Sequence, residues 1–144
     1  MDSVGIITVV GLVVLAVLIW LFLRTRSRDL IADMMAKRKA TSKLVSRADY
    51  VEGMEHIQVA LSLTDDSFYY ENPDLQASFE LKHVDEIEYD SELATGKSLE
   101  HGTRALRLRS HGTAFEFVLD PAQSKLWEAM LPPRRAGENA ARAS

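Results

Sequence analysis

RALRLRSHGTAFEFVLDPAQSKLWEAM, residues 104–130, is the stretch whose reading decides the fold. Leu106 and Leu108 alternate with Arg107 and Arg109. After Ser110-His111-Gly112-Thr113, the alternation resumes through Phe115, Phe117 and Leu119. A two-residue period on both sides of a turn predicts an antiparallel hairpin with one buried face. Asp120-Pro121 then marks a helix start, with Asp as N-cap and Pro at the first helical position. Leu126, Trp127, Met130 and Leu131 recur as its apolar face, and Pro132-Pro133 ends it. A hairpin followed at once by an amphipathic, Trp-bearing helix predicts a curved antiparallel sheet. The helix would cover its open end or one face.

Working toward the N-terminus, the same period persists. Ile57, Val59, Leu61 and Leu63 share one face of a strand, with His56, Gln58, Ala60 and Ser62 on the other, polar face. Thr64-Asp65-Asp66-Ser67 is turn chemistry, and Phe68-Tyr69-Tyr70-Glu71 is a second strand. Asn72-Pro73-Asp74 turns again. Ala77 to His83, with Phe79 and Leu81, reads as another strand, and Val84, Ile87 and Tyr89 mark one more. Asp90 to Thr103 carries few apolar residues and reads as a long loop. Leu44 to Gly53 offers only a short candidate for the first strand.

Val4 to Leu23, VGIITVVGLVVLAVLIWLFL, is of another kind: twenty residues without a charge, seventeen of them hydrophobic. As a helix it spans about 30 Å, the thickness of a bilayer's hydrocarbon core. Val4, Leu12, Leu15, Trp20 and Leu23 represent the expected anchor, with Trp20 near the interface. A cleaved signal peptide calls for a basic start and a small-residue cleavage site. This run instead begins after Met1-Asp2-Ser3 and ends in Leu23-Arg24-Thr25-Arg26, so a retained anchor is expected. Gly5 and Gly11 lack the spacing of a GxxxG dimerisation face.

Charge sets the expected orientation. Residues 24–47 hold eight Lys and Arg against two Asp, whereas residues 48–101 hold fourteen Asp and Glu against two Lys. The positive-inside rule places the N-terminus outside and the C-terminal domain in the cytoplasm, in a cell membrane of bacterial inner-membrane type. Arg24, Arg26, Arg28, Lys37, Arg38 and Lys39 are the expected membrane-surface contacts. Leu30, Ile31, Met34 and Met35 recur at helical spacing, and the favoured reading is a helix whose apolar residues pack on the following domain. The expected organisation is an extracytoplasmic N-terminus (1–3), a transmembrane helix (4–23) and a basic juxtamembrane helix or linker (24–43). A small, mainly β cytoplasmic domain (44–131) and a disordered tail (132–144) follow.

The order of elements resembles the pleckstrin-homology-like superfold, in its GRAM-like and bacterial versions. The matching stretches are VALSLTDDSFYYEN (59–72), FELKHVDEIEYD (79–90) and the 104–130 hairpin and helix. The resemblance implies an antiparallel barrel or sandwich with one C-terminal helix, and a binding role. In the family, a basic cluster near the first strands can hold inositol phosphates. Only Lys43 and Arg47 stand near that place here, so head-group contact is the secondary expectation. Protein recognition, through a sheet edge or the groove beside the last helix, comes first.

The chemistry-bearing residues point the same way. With no cysteine, the 144-residue chain has neither disulfides nor thiolate metal sites, and a net charge of −4 disfavours a general nucleic-acid binder. His56, His83, His101 and His111 show no ligand spacing, and there is no nucleophile elbow, P-loop or dinucleotide fingerprint. The expectation is a non-catalytic, single-pass adaptor or scaffold. It needs no cofactor, shows no evident small-molecule substrate, and has the lipid bilayer and a protein or a second copy as partners.

Overall fold

The computed structural model describes residues 2–135. It shows an N-terminal apolar helix, a seven-stranded antiparallel sheet curled into a half-barrel, and a C-terminal helix. The elements are α1 (Ser3–Lys39), β1 (Leu44–Glu52), β2 (Glu55–Leu63), β3 (Ser67–Asn72), β4 (Leu75–Glu80), β5 (Val84–Asp90), β6 (Arg104–Ser110), β7 (Thr113–Leu119) and α2 (Pro121–Met130). The sheet runs β4-β3-β2-β1-β7-β6-β5, with every neighbouring pair antiparallel. The first and last strands in sequence meet through Asp49↔Val118, Tyr50↔Phe117 and Val51↔Glu116, which joins two meanders into one curved surface.

The expected hairpin is β6 and β7, in register from Arg104↔Leu119 to Ser110↔Thr113. The concave face carries the core: Val59, Leu61, Leu63, Phe68, Val84, Leu106, Leu108, Phe117, Leu119 and Trp127 are all at most 1% exposed. The Asp120 side chain accepts the Gln123 N–H at 2.8 Å, which caps α2. Gly102 lies at φ 85°, and a Cβ there would come within 3.1 Å of the Pro121 ring. A bare backbone at this position lets the chain pass the start of α2.

Four expectations need correction. The first strand is full length: β1 pairs with β2 from Leu44↔Leu63 to Glu52↔Glu55. Its alternation is faint because Ser46 points inward, where its Oγ accepts the Trp127 indole N–H at 2.7 Å. Ala60 and Ser62, read as the polar face of β2, are 3% and 1% exposed because α1 lies over them. Of the expected apolar face, Trp127 and the C-cap residue Leu131 are buried, whereas Leu126 and Met130 are 49% and 43% exposed; the other buried position of α2 is Ser124. Trp127 fills the end of the half-barrel so fully that one position per turn reaches the core. Finally, the tail does not begin at Pro132. Arg134 exchanges backbone hydrogen bonds with Ile87 at 2.8 and 2.9 Å, adding a one-residue bridge to the free edge of β5. Its guanidinium also donates to the carbonyls of Leu81 and Val84. The rest of the expected tail, 136–144, lies outside the described residues.

Two smaller differences concern connections. The strand expected over 77–83 ends at Glu80 and continues as a 3-10 turn, Leu81–His83. The expected loop after Asp90 holds a Glu92↔Ser98 bridge and buries Leu93 to 4%.

Candidate functional site

α1 is one unbroken helix of 37 residues, about 55 Å long at 1.5 Å per residue. Its two ends behave differently. Val4, Leu12, Leu15, Trp20 and Leu23 are 53–72% exposed and touch no other element, and this part is long and apolar enough to cross a membrane. The far third packs on the convex face of β1, β2 and β3. Ile31 is 3% exposed, Met34, Met35 and Arg38 are half-buried, and the spacing of 31, 34/35 and 38 keeps them on one side of the helix. The favoured reading of residues 30–35 therefore matches what is seen for Ile31, Met34 and Met35. Small side chains at Ala60 and Ser62 let the helix axis come close to the strand.

Arg38 fastens the contact. Its Nε donates to Glu71 Oε1 at 2.6 Å, and its guanidinium carbon lies 4.3 Å from the centre of the Tyr69 ring. The Glu71 side chain is 7% exposed and that of Arg38 34%. A carboxylate taken out of water needs such a partner, and burying it unpaired would cost several kcal/mol, roughly. After the helix, Lys43 pairs with Asp65 across the β2–β3 turn at 2.8 Å, and its N–H donates to the Leu63 carbonyl at 2.7 Å. Ile31 shares a cavity with Val118, Thr103 and Asp120, whereas Arg38 shares another with Glu71 and Gln76. The helix thus crosses the strands, from the β7 side of the sheet to the β4 side.

The expected membrane-surface residues split accordingly. Arg24 lies over Trp20, 5.3 Å from ring centre to guanidinium carbon, and Arg26 is exposed. Arg28 sits on the same helical stretch. Lys37 and Lys39 are exposed, but Arg38 is turned onto the domain, which corrects its expected role as a surface contact. Glu71 and Tyr69, which receive it, were not singled out by the sequence. The available signal was the pair of small outward residues, Ala60 and Ser62, beside a strand ending in Tyr-Tyr-Glu.

The half-barrel has one plugged end and one open one. At the plugged end Trp127 packs on Phe68 at 5.5 Å between ring centres. Toward the other end Tyr50, Tyr70, Phe79, Phe115 and Phe117 pack ring on ring at 4.7–6.4 Å, and Tyr50, Phe79 and Phe115 are half-buried. Burial, with Tyr50 and Glu52 nearby, pushes the Tyr70 hydroxyl up to about 12. His83 and His111, distant in sequence, meet at 5.6 Å between ring centres, and His83 Nδ1 lies 3.5 Å from Glu80. Both histidines are exposed.

On the convex face of β5–β7 the charges are ordered. Arg107 reaches Glu88 at 2.9 Å, Glu116 at 3.0 Å and Asp90 at 3.5 Å, and Arg109 reaches Glu86 at 3.4 Å. Burial acts to lower the Arg107 pKa, but the hydrogen bonds it donates to Glu116 and Glu88 outweigh it and the net direction is up. Glu116 also accepts the Ala94 N–H at 3.0 Å, so the network pins the loop after β5. These groups neutralise one another and serve the fold.

Among the described residues, no three His, Asp or Glu side chains gather where they could hold a metal ion. No protein-family model matches the sequence, and no curated protein matches it. The dominant feature among the described residues is the junction of apolar helix and domain.

Proposed function

We propose that the chain is a non-catalytic, single-pass membrane protein that holds a pleckstrin-homology-like interaction domain at a fixed distance from the bilayer. The supporting observation is the continuity of α1, apolar over its first part and clasped to the sheet by Ile31 and the Arg38–Glu71 pair. A flexible linker would let a domain wander, whereas this helix gives it one pose. The element order, with seven antiparallel strands and a helix plugging one end, supports the superfold. The basic flank at Arg24, Arg26 and Arg28 supports a cytoplasmic domain. The partner is another membrane protein or a second copy, met at a surface whose height the helix sets.

The distances rank this reading above head-group sensing. If the hydrocarbon ends near Leu23, Arg24, Arg26 and Arg28 fall within about 8 Å of it along the axis, inside the head-group layer. Lys37 and Lys39 stand about 21–24 Å out, beyond a Debye length of ~8 Å from the lipid surface. Lipid contact is then confined to the three arginines.

The test is cross-linking in intact membranes, followed by purification of the full chain in mild detergent at low salt. A specific cross-linked partner or dimer, lost when Arg38 and Glu71 are both changed to Ala, is expected. Recovery of the monomer alone would overturn the proposal. Tight dependence on anionic lipid without any protein cross-link would favour head-group sensing.

A further inference from the structure

We infer that the free edge of β4 docks a second copy of this chain, the two β4 strands pairing antiparallel about Ser78. This deepens the interaction role and rests on it, naming the surface and choosing the partner. The sheet ends at β4 on one side and at β5 on the other, and the two edges differ. β5 carries a bulge between Val84 and Glu86, and Arg134 bridges to Ile87 along its outer side. Both features blunt an edge against further pairing. β4 has no proline, lysine or register shift, and among the described residues it pairs with β3 alone.

The register shows which backbone groups face outward. The Thr64 N–H donates to the Ser67 carbonyl at 2.9 Å across the β2–β3 turn, so Ser67, Tyr69 and Glu71 bond toward β2. Phe68, Tyr70 and Asn72 then bond toward Phe79, Ala77 and Leu75 of β4. That alternation aims the N–H and C=O groups of Gln76 and Ser78 out of the edge. The side chains fit their own copy. Pairing about Ser78 sets Gln76 opposite Glu80 of the second copy and Ala77 opposite Phe79, each contact occurring twice. Just past the strand, Asp74 comes beside Lys82, which otherwise rests on its own Glu80 in an exposed pair at 3.3 Å. A shift of one residue, to pairing about Ala77, would bring Asp74 against Glu80, like charge on like. The edge therefore specifies both partner and register. It leads into a groove of about 410 Å³ between Glu80, His83 and His111, which gives room to the β3–β4 turn of the incoming copy.

The chain has no cysteine, so single-cysteine variants report contact directly. Opposite residues of a hydrogen-bonded pair stand about 5.5 Å apart at Cα, within disulfide reach. Under mild oxidation of intact membranes, Ser78→Cys should give a disulfide-linked dimer in roughly fivefold the yield of Asp85→Cys, an exposed position on β5. Gln76→Cys and Glu80→Cys should each link poorly alone and well when co-expressed. Ser78→Lys sets two cations face to face at a position exposed in the single chain. It should weaken dimerisation in mild detergent roughly tenfold, with hydrogen exchange over β6 and β7 as in the parent. A dimer in which Ser78→Cys links no better than Asp85→Cys, or which Ser78→Lys leaves unaltered, overturns this edge and keeps the interaction role. Gln76→Cys linking alone as readily as the mixture overturns the register. A different protein captured at Ser78, with no dimer, overturns the choice of partner. A monomer throughout, with no partner cross-linked, overturns both the inference and the role.

Discussion

Two helices cover one sheet, and they do so by different physics. α2 sends Trp127 into the concave side, where it is fully buried against Phe68 and bonded to Ser46. Without it the half-barrel has an open, wet core. α1 lies across the convex side, with Ile31 its one buried apolar side chain there and the Arg38–Glu71 pair as fastener. Remove α1 and Glu71 returns to water, which suits a carboxylate. α2 completes the fold; α1 is docked onto a fold already complete. A charge pair at such a contact fixes pose more than it adds stability, because desolvation offsets much of the attraction.

The largest expected effect tests the first half of that contrast. Trp127→Ala empties the plugged end and orphans the Ser46 hydroxyl, so the domain should lose about 3–5 kcal/mol. Denaturant unfolding of the full chain in detergent, followed by tyrosine fluorescence, would measure it. A loss under 1 kcal/mol would mean that α2 is no part of the core. Ala60→Leu tests the other half. The added side chain forces the helix off β2 at a cost of about 1–3 kcal/mol to docking. Hydrogen exchange should quicken over residues 31–39 while β5–β7 stay protected. Equal quickening across both would show that α1 and the sheet unfold as one unit.

The contrast also explains how far the sequence could be read. α2 was legible because Asp120-Pro121 and Trp127 act locally: a cap, a fixed φ and a large apolar side chain each carry their own signal. The β6–β7 hairpin was legible by period. β1 was faint because its inward Ser46 is accounted for by a tryptophan 81 residues away. The clasp was half legible. Helical spacing marked Ile31, Met34 and Met35 as a packing face, yet the surface they meet reads as polar, Ala60 and Ser62 being chosen for size. Arg38 could not be told from its neighbours Lys37 and Lys39, since a run of cations does not say which one turns inward. Leu126 and Met130 belong by spacing to the apolar face of α2 but stay exposed, because one tryptophan already fills the space.

Glu71→Ala sharpens the charge half of the comparison. Arg38 is left with a third of its side chain in water and can turn outward, so the cost is about 1–2 kcal/mol and not that of a stranded buried charge. Exchange over residues 31–39 should rise roughly tenfold with the unfolding midpoint of the sheet nearly unmoved. The reversed pair, Arg38→Glu with Glu71→Arg, should recover part of the protection. If neither variant alters exchange, Ile31 and the methionines hold the helix alone.

The smallest expected effect separates the sheet's interior from its docked helix by pH. The Tyr70 hydroxyl is pushed up to about 12 by burial, then by Tyr50 and Glu52; burial and Glu128 raise Tyr89, whose hydroxyl donates to the Leu131 carbonyl at 2.7 Å. Both are acids whose folded pKa exceeds the unfolded value near 10. Between those values the folded state binds more protons than the unfolded one, so stability is full below pH 10 and falls as pH rises toward 12. For Tyr70 alone the loss by pH 10.5 is on the order of 1 kcal/mol. Melting the full chain at pH 8 and 10.5 should therefore lower the transition of the sheet, and Tyr70→Phe should remove part of that drop while leaving exchange over residues 31–39 as in the parent. Equal drops in parent and Tyr70→Phe would show that surface lysines, not the buried hydroxyl, set the alkaline limit.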